Sequence, residues 1–97
     1  MNEHHYPVPH PQVATAIVEG QAVIVMVDSG NMSVLNELGT RIWQLSDGSH
    51  CVEEIVQTIV AEYEVDVAQA RVDVGAFLEQ LLALQALVLH EAPQPAG

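Results

Sequence analysis

No lysine occurs anywhere in the 97 residues, and only Arg41 and Arg71 set fixed positive charge against thirteen Asp and Glu, for a net charge of −11. A polyanionic backbone is bound by Lys and Arg that displace its counterions, so nucleic acid is a poor partner for this chain. The field favours a cationic partner and speeds its encounter at low salt. A blander reading, that the acids only keep an apolar domain soluble, competes with it. A single cysteine, Cys51, leaves no internal disulfide and no multi-cysteine metal site. Aromatics are scarce (one Trp, two Tyr, one Phe), so Val, Leu and Ile must fill the core. No apolar run reaches the ~20 residues of a membrane span. The start, Met1-Asn2-Glu3-His4-His5, has no basic-then-apolar signal. The expectation is a soluble, cytoplasmic protein.

Catalytic and cofactor chemistry is equally thin. Gly20, Gly30, Gly39 and Gly48 are isolated, so no glycine-rich phosphate loop exists. His4, His5 and His10 cluster only in the proline-rich start and lack the acid or cysteine spacing of a built metal site. Cys51 lies where a helix start can lower a thiol pKa, yet no His–Asp pairing is recognisable around it. Glu53 and Glu54 are adjacent on a helix and face different ways, which suits the helix dipole better than an acid/base dyad. No catalytic residues, metal or cofactor are expected.

What is present is pattern. Residues 1–12 carry Pro7, Pro9 and Pro11 in alternation, which forbids helix and predicts a flexible, polyproline-like arm. Residues 89–97, with Pro93 and Pro95, read as a flexible tail. Between them, residues 13–88 form one domain. Val13–Glu19 is rich in β-branched residues and reads as a strand. Gln21–Asp28 contains Ala-Val-Ile-Val-Met-Val, apolar on both pleat faces, as for a central strand covered on both sides. Asp28-Ser29-Gly30-Asn31 is a turn, and Met32–Leu35 follows as a short third strand. Two successive hairpins place the second strand in the middle and leave Met32–Leu35 a free edge.

Three helices should follow. Asn36 can cap the first, with Leu38, Ile42, Trp43 and Leu45 inward; Trp43 is a core anchor. Val52, Ile55, Val56, Ile59 and Val60 form the stripe of the second. Asp66 with Gln69 resembles a capping box opening the third, whose stripe runs Ala70, Val74, Phe77, Leu78, Leu81 and Leu82. It is the longest and should end near Leu84–Ala86. Two features resist a purely structural account. The edge strand has no Lys or Pro to blunt it. Gly75, inside the third helix, costs roughly 1 kcal/mol against Ala, and serves either a close approach beside Ala76 or tight helix–sheet packing. An uncovered edge beside a long helix is the setting for strand addition by an extended peptide.

The stretch Leu35-Asn36-Glu37-Leu38-Gly39-Thr40-Arg41-Ile42-Trp43-Gln44-Leu45-Ser46-Asp47-Gly48, running on to Val52-Glu53-Glu54-Ile55, resembles the PqqD-like family over roughly Val13 to Val88. The resemblance implies an α+β, winged helix-turn-helix-like fold, a three-stranded antiparallel sheet followed by three helices. It implies a non-catalytic peptide chaperone that binds the leader of a ribosomal precursor peptide as an added strand and presents it to a modifying enzyme: a leader peptidase, cyclase or radical enzyme. By position it assigns Met32, Ser33, Val34 and Leu35 to the augmented strand and Val72, Asp73, Ala76 and Phe77 to the helix wall. Asp73 matches an acid before the family's Val-x-x-Phe-Leu run, here Val74-Gly75-Ala76-Phe77-Leu78, and is the candidate partner of a leader Lys or Arg. Ala86 replaces a usual Gly, and Cys51 a usual Thr that would cap more strongly. Asn36-Glu37-Leu38-Gly39 is closer to the broad family than to the quinone-maturation member, which favours a lasso-peptide leader-binding element. Two readings compete. One is a winged-helix regulator, disfavoured by the lack of a basic recognition helix; the other is a structural domain whose apolar edge pairs with a second copy as a dimer.

Overall fold

Two sheets, not one, organise the molecule. The computed structural model describes residues 1–94 and runs β1 (Tyr6–Pro9), β2 (Val13–Val18), β3 (Gln21–Met26), β4 (Met32–Val34), α1 (Glu37–Leu45), α2 (Val52–Tyr63), α3 (Val67–Ala83) and β5 (Leu87–His90). The expected meander is there, antiparallel in the order β2-β3-β4 with β3 central. The α+β, winged-helix-like expectation therefore holds, with a second sheet added.

That sheet pairs β1 with β5, antiparallel, from Tyr6 opposite His90 to Pro9 opposite Leu87. The arm expected to be loose over residues 1–12 is thus tied down between Tyr6 and Pro9, and Leu89 and His90 of the expected tail belong to β5. Residues 95–97 of that tail lie outside the described residues. The cause lies in the outward carbonyls as much as in the pairing. The N–H groups at the start of an α-helix have no partners within the helix. Here Val52 donates to the His5 carbonyl and Glu53 to that of Glu3, each at 2.9 Å, while Gly48 donates to that of Pro7 at 3.0 Å. Glu54 completes the α2 cap by accepting from the Cys51 N–H at 2.8 Å. The arm thus compensates for the weak cap that Cys51 provides. Pro7 is fully buried. A Cβ on Gly48 would lie 2.9 Å from Gln94 Cβ and 3.0 Å from Val8 Cγ2, and its φ of +88° also demands glycine.

The core lies between the inner face of the three-stranded sheet and the helices. Ala22 and Ile24 meet Ile42, Trp43 and Leu45 of α1, Ile55, Val56 and Ile59 of α2, and Val74, Leu78 and Leu81 of α3. Trp43 is buried, as its stripe requires. α1 begins at Asn36, whose Oδ1 accepts from the Gly39 N–H at 2.7 Å. α3 begins at Asp66, which accepts from the Ala68 N–H at 2.8 Å. Gln69 does not close a capping box; its amide donates to Asp73 instead, at 2.9 Å. A Cβ on Gly75 would meet nothing within 4 Å, so tight packing is not its reason. Among the described residues no helix is long and apolar enough to cross a membrane.

Candidate functional site

Ladder geometry fixes what the edge strand offers. β4 pairs with β3 through Val34–Val23, Ser33–Ile24 and Met32–Val25. The Leu35 N–H donates to the Ala22 carbonyl at 2.8 Å, and the Asn31 carbonyl accepts from the Met26 N–H at 2.8 Å. Inward bonding alternates along an antiparallel strand, so residues 31, 33 and 35 bond toward β3. Met32 and Val34 therefore turn their N–H and C=O groups to the open side.

The inner end of this edge is pinned by one buried hydroxyl. Thr40 Oγ1, on α1, accepts from the Ala22 N–H at 2.9 Å and donates to the Leu35 carbonyl at 3.3 Å. It bridges the return half of that pair, from the Ala22 N–H to the Leu35 carbonyl, while the Leu35 N–H bonds Ala22 directly, and so locks β3, β4 and α1 together.

Between β4 and α3 lies an open groove of about 380 Å³, lined by Ser33, Val34, Leu35, Asn36, Phe77, Gln80, Leu81 and Leu84. At 3.6 residues per turn, Asp73, Phe77, Gln80 and Leu84 fall along one line of α3 and its C-cap. Phe77 forms the base of the wall because Gly39, in the first turn of α1, leaves room for its ring. A Cβ on Gly39 would sit 3.0 Å from Phe77 Cε1. Ser33 and Leu84 also border a second hollow of about 240 Å³, which extends the groove past the β3–β4 turn to Asp28, Asn31, His10 and Gln12.

Of the residues assigned by sequence, the structure brings Ser33, Val34, Leu35 and Phe77 to this groove. Leu35 is buried and bonded inward, and so belongs to the floor. Met32 stands at the outer end of the strand, 66% exposed. Asp73 is exposed one turn before Phe77, held by Gln69. Ala76 and Val72 are both exposed and line neither hollow. Asn36, Gln80, Leu81 and Leu84 went unassigned. The last three sit three, four and seven residues after Phe77, so extending its helical stripe by two turns would have found them.

The groove carries no cation. Arg41 forms a two-point pair with Glu62, at 2.8 and 2.7 Å, joining α1 to α2. Arg71 pairs with Glu53 and, at 3.3 Å, with Glu3. Hydrogen bonding to these guanidinium groups holds Glu62 and Glu53 below the usual carboxylate range, and Glu54 is held down by the Cys51 N–H. Both arginines are thus committed away from β4, while Asp28, Glu37 and Asp73 stand near the groove.

A His–Asp contact that the sequence did not reveal lies before Cys51. His50 Nδ1 is 3.3 Å from Asp47 Oδ1, and Ser49 Oγ donates to the same oxygen at 2.6 Å. Ser49 Oγ also lies 3.0 Å from His50 Nδ1, so the three side chains form one local hydrogen-bonded cluster in a surface turn. Such an arrangement ties the turn together and does not generate a nucleophile. Among the described residues no group of three His, Cys, Asp or Glu could hold a metal ion.

The fold and groove define a winged-helix-like α+β domain with an open sheet edge walled by a helix. The chain belongs to the PqqD family: the family described as coenzyme PQQ synthesis protein D (PqqD) matches residues 21–87. Among solved structures it is similar to TbiB1 in complex with the TbiA(beta) leader peptide, at 31% identity and TM-score 0.78, over 82% of this chain and 93% of that one. It also shares the fold of a lasso peptide synthetase B1 complexed with the leader peptide, at 23% identity and TM-score 0.79, over 86% of this chain and 98% of that one. No curated protein matches it.

Proposed function

We infer that this protein is a non-catalytic recognition module, acting in the cytoplasm, that binds the leader of a ribosomal precursor peptide and presents it to a modifying enzyme. Lasso-peptide biosynthesis fits better than quinone cofactor biosynthesis, since both similar structures are leader complexes and one of them is of a lasso peptide synthetase B1. The observation that carries the reading is the pair of outward N–H groups at Met32 and Val34, at the mouth of a groove walled by α3. An extended peptide satisfies those groups as a fourth strand, and its alternate side chains enter the groove. Met32, Ser33, Val34 and Leu35 supply the strand and its floor, Phe77 the apolar wall, and Val72 and Ala76 the outer rim. Asp73 meets a leader Lys or Arg.

Calorimetry with the cognate leader tests it. Binding in the micromolar range or tighter is expected, weakening modestly as salt rises because the protein is strongly acidic. No heat and no mobility shift with the cognate leader would end this reading.

A further inference from the structure

The face of the three-stranded sheet turned away from the helices carries two matching rows. Directly opposed residues in antiparallel strands point the same way, so the register sets Ala16, Val23 and Val34 side by side, then Ala14, Val25 and Met32. Each row runs from small on β2, through medium on β3, to larger or prouder on β4. Val23 and Val25 are half-buried, Val34 is 60% exposed, and Val18 extends the patch at one end. No charged residue occurs within β2, β3 or β4, although the chain carries −11. An uninterrupted apolar patch of this kind marks a contact surface.

We propose that this face docks a second copy of the chain. A two-fold axis running along β3, between two facing sheets, brings β2 of one copy over β4 of the other. Val34 then lies over Ala16 and Met32 over Ala14, in both directions at once, as a self-complementary contact requires. The other in-plane axis, across the strands, stacks large residues on large and small on small and leaves gaps. The ramp therefore selects one arrangement. From the exposures of Val18, Met32 and Val34, with exposed Ala14 and Ala16 and half-buried Val23 and Val25, the face presents roughly 500 Å² of accessible surface per copy. The total of about 1,000 Å² lies at the small end of specific interfaces, so the dimer is weak and reversible. The same axis gathers both copies of Glu19 at one end of the contact and both copies of Asp28 at the other. Salt should then tighten the dimer, opposite to its effect on leader binding.

Sedimentation of the full chain without leader, from about 10 μM to 1 mM, reads the assembly directly. A monomer–dimer equilibrium is expected, tightened severalfold between about 0.05 and 0.5 M salt and tightened again by Glu19→Gln. Val34→Ala and Ala16→Val should each weaken it severalfold, and the double variant should recover most of the loss, because the ramp is then reversed in one row. Ala14→Asp should be monomeric with a parental melting curve and unchanged leader titration, since β2 lies across the sheet from the leader edge. A monomer at 1 mM, or a dimer indifferent to both the row exchange and Ala14→Asp, overturns the proposal. Either result leaves the leader-binding reading standing, because no leader enters the sedimentation experiments.

Discussion

Pro7 and Pro9 stand in β1 where Met32 and Val34 stand in β4, at positions whose N–H would leave the sheet. The His10 N–H donates to the Ala86 carbonyl, so Tyr6 and Val8 bond toward β5 and the two prolines face away. The Pro7 carbonyl on that outer side is taken too, by Gly48, and the His5 and Glu3 carbonyls just before the strand by Val52 and Glu53. The β1 edge is therefore closed by its absent donors and by the satisfied Pro7 acceptor. The β4 edge keeps its donors and has a groove beside them. An edge strand left open invites pairing with any extended chain. β2 is an edge of the same sheet as β4, but it is β4 that combines outward donors with a groove walled by a helix.

The largest test of that contrast exchanges the chemistry of the two edges. Ser33→Pro removes an inward N–H and should destabilise the domain by about 1–3 kcal/mol. Val34→Pro gives β4 the outward proline that β1 already has; its melt should stay near parental while leader affinity falls at least a hundredfold. Thermal melts and leader titrations on both variants decide it, and if both fold and bind like the parent, no peptide adds to β4. Next comes the pin beneath the edge. Thr40→Val leaves the Ala22 N–H buried without a partner and should cost about 1–3 kcal/mol in denaturant unfolding.

The smaller effects lie on α3. Asp73→Lys should weaken leader binding by at most about 1 kcal/mol, some fivefold, because the group is exposed. Its melting temperature should not move; a collapse would assign Asp73 to the fold. Gly75→Ala fills open space in a helix and should raise stability by about 0.4–1 kcal/mol, with the leader titration unchanged. A loss of stability there would mean that the glycine is needed within the fold.

The three-stranded sheet and three helices were legible because their signals are local: turn residues between apolar runs, caps at Asn36 and Asp66, and helical stripes. The edge strand was legible for the same reason, and with it Ser33 and Val34. Which of those two donates outward was not, since that parity depends on the bond from Leu35 to Ala22, fixed only once the register is known. The β1–β5 pair was invisible because alternating prolines are compatible with a solvated arm and with a strand alike. Only the partner decides, and it lies at the far end of the sequence. Val72 and Ala76 were assigned by position within a motif, whereas the groove follows the line through Phe77, Gln80 and Leu84.

The pairing of Val8 with Val88, eighty positions apart, also bears on how the protein is made. During synthesis the first strand emerges long before its partner exists, and α2 forms while the carbonyls of Glu3 and His5 are held only by a short unpaired segment. Contacts so distant in sequence form slowly, since the loop must close before they contribute. The hairpins and the Thr40 pin, built from neighbours, can assemble on the growing chain. The β1–β5 pair then forms last, joining the two ends of the domain only after residue 90 has left the ribosome.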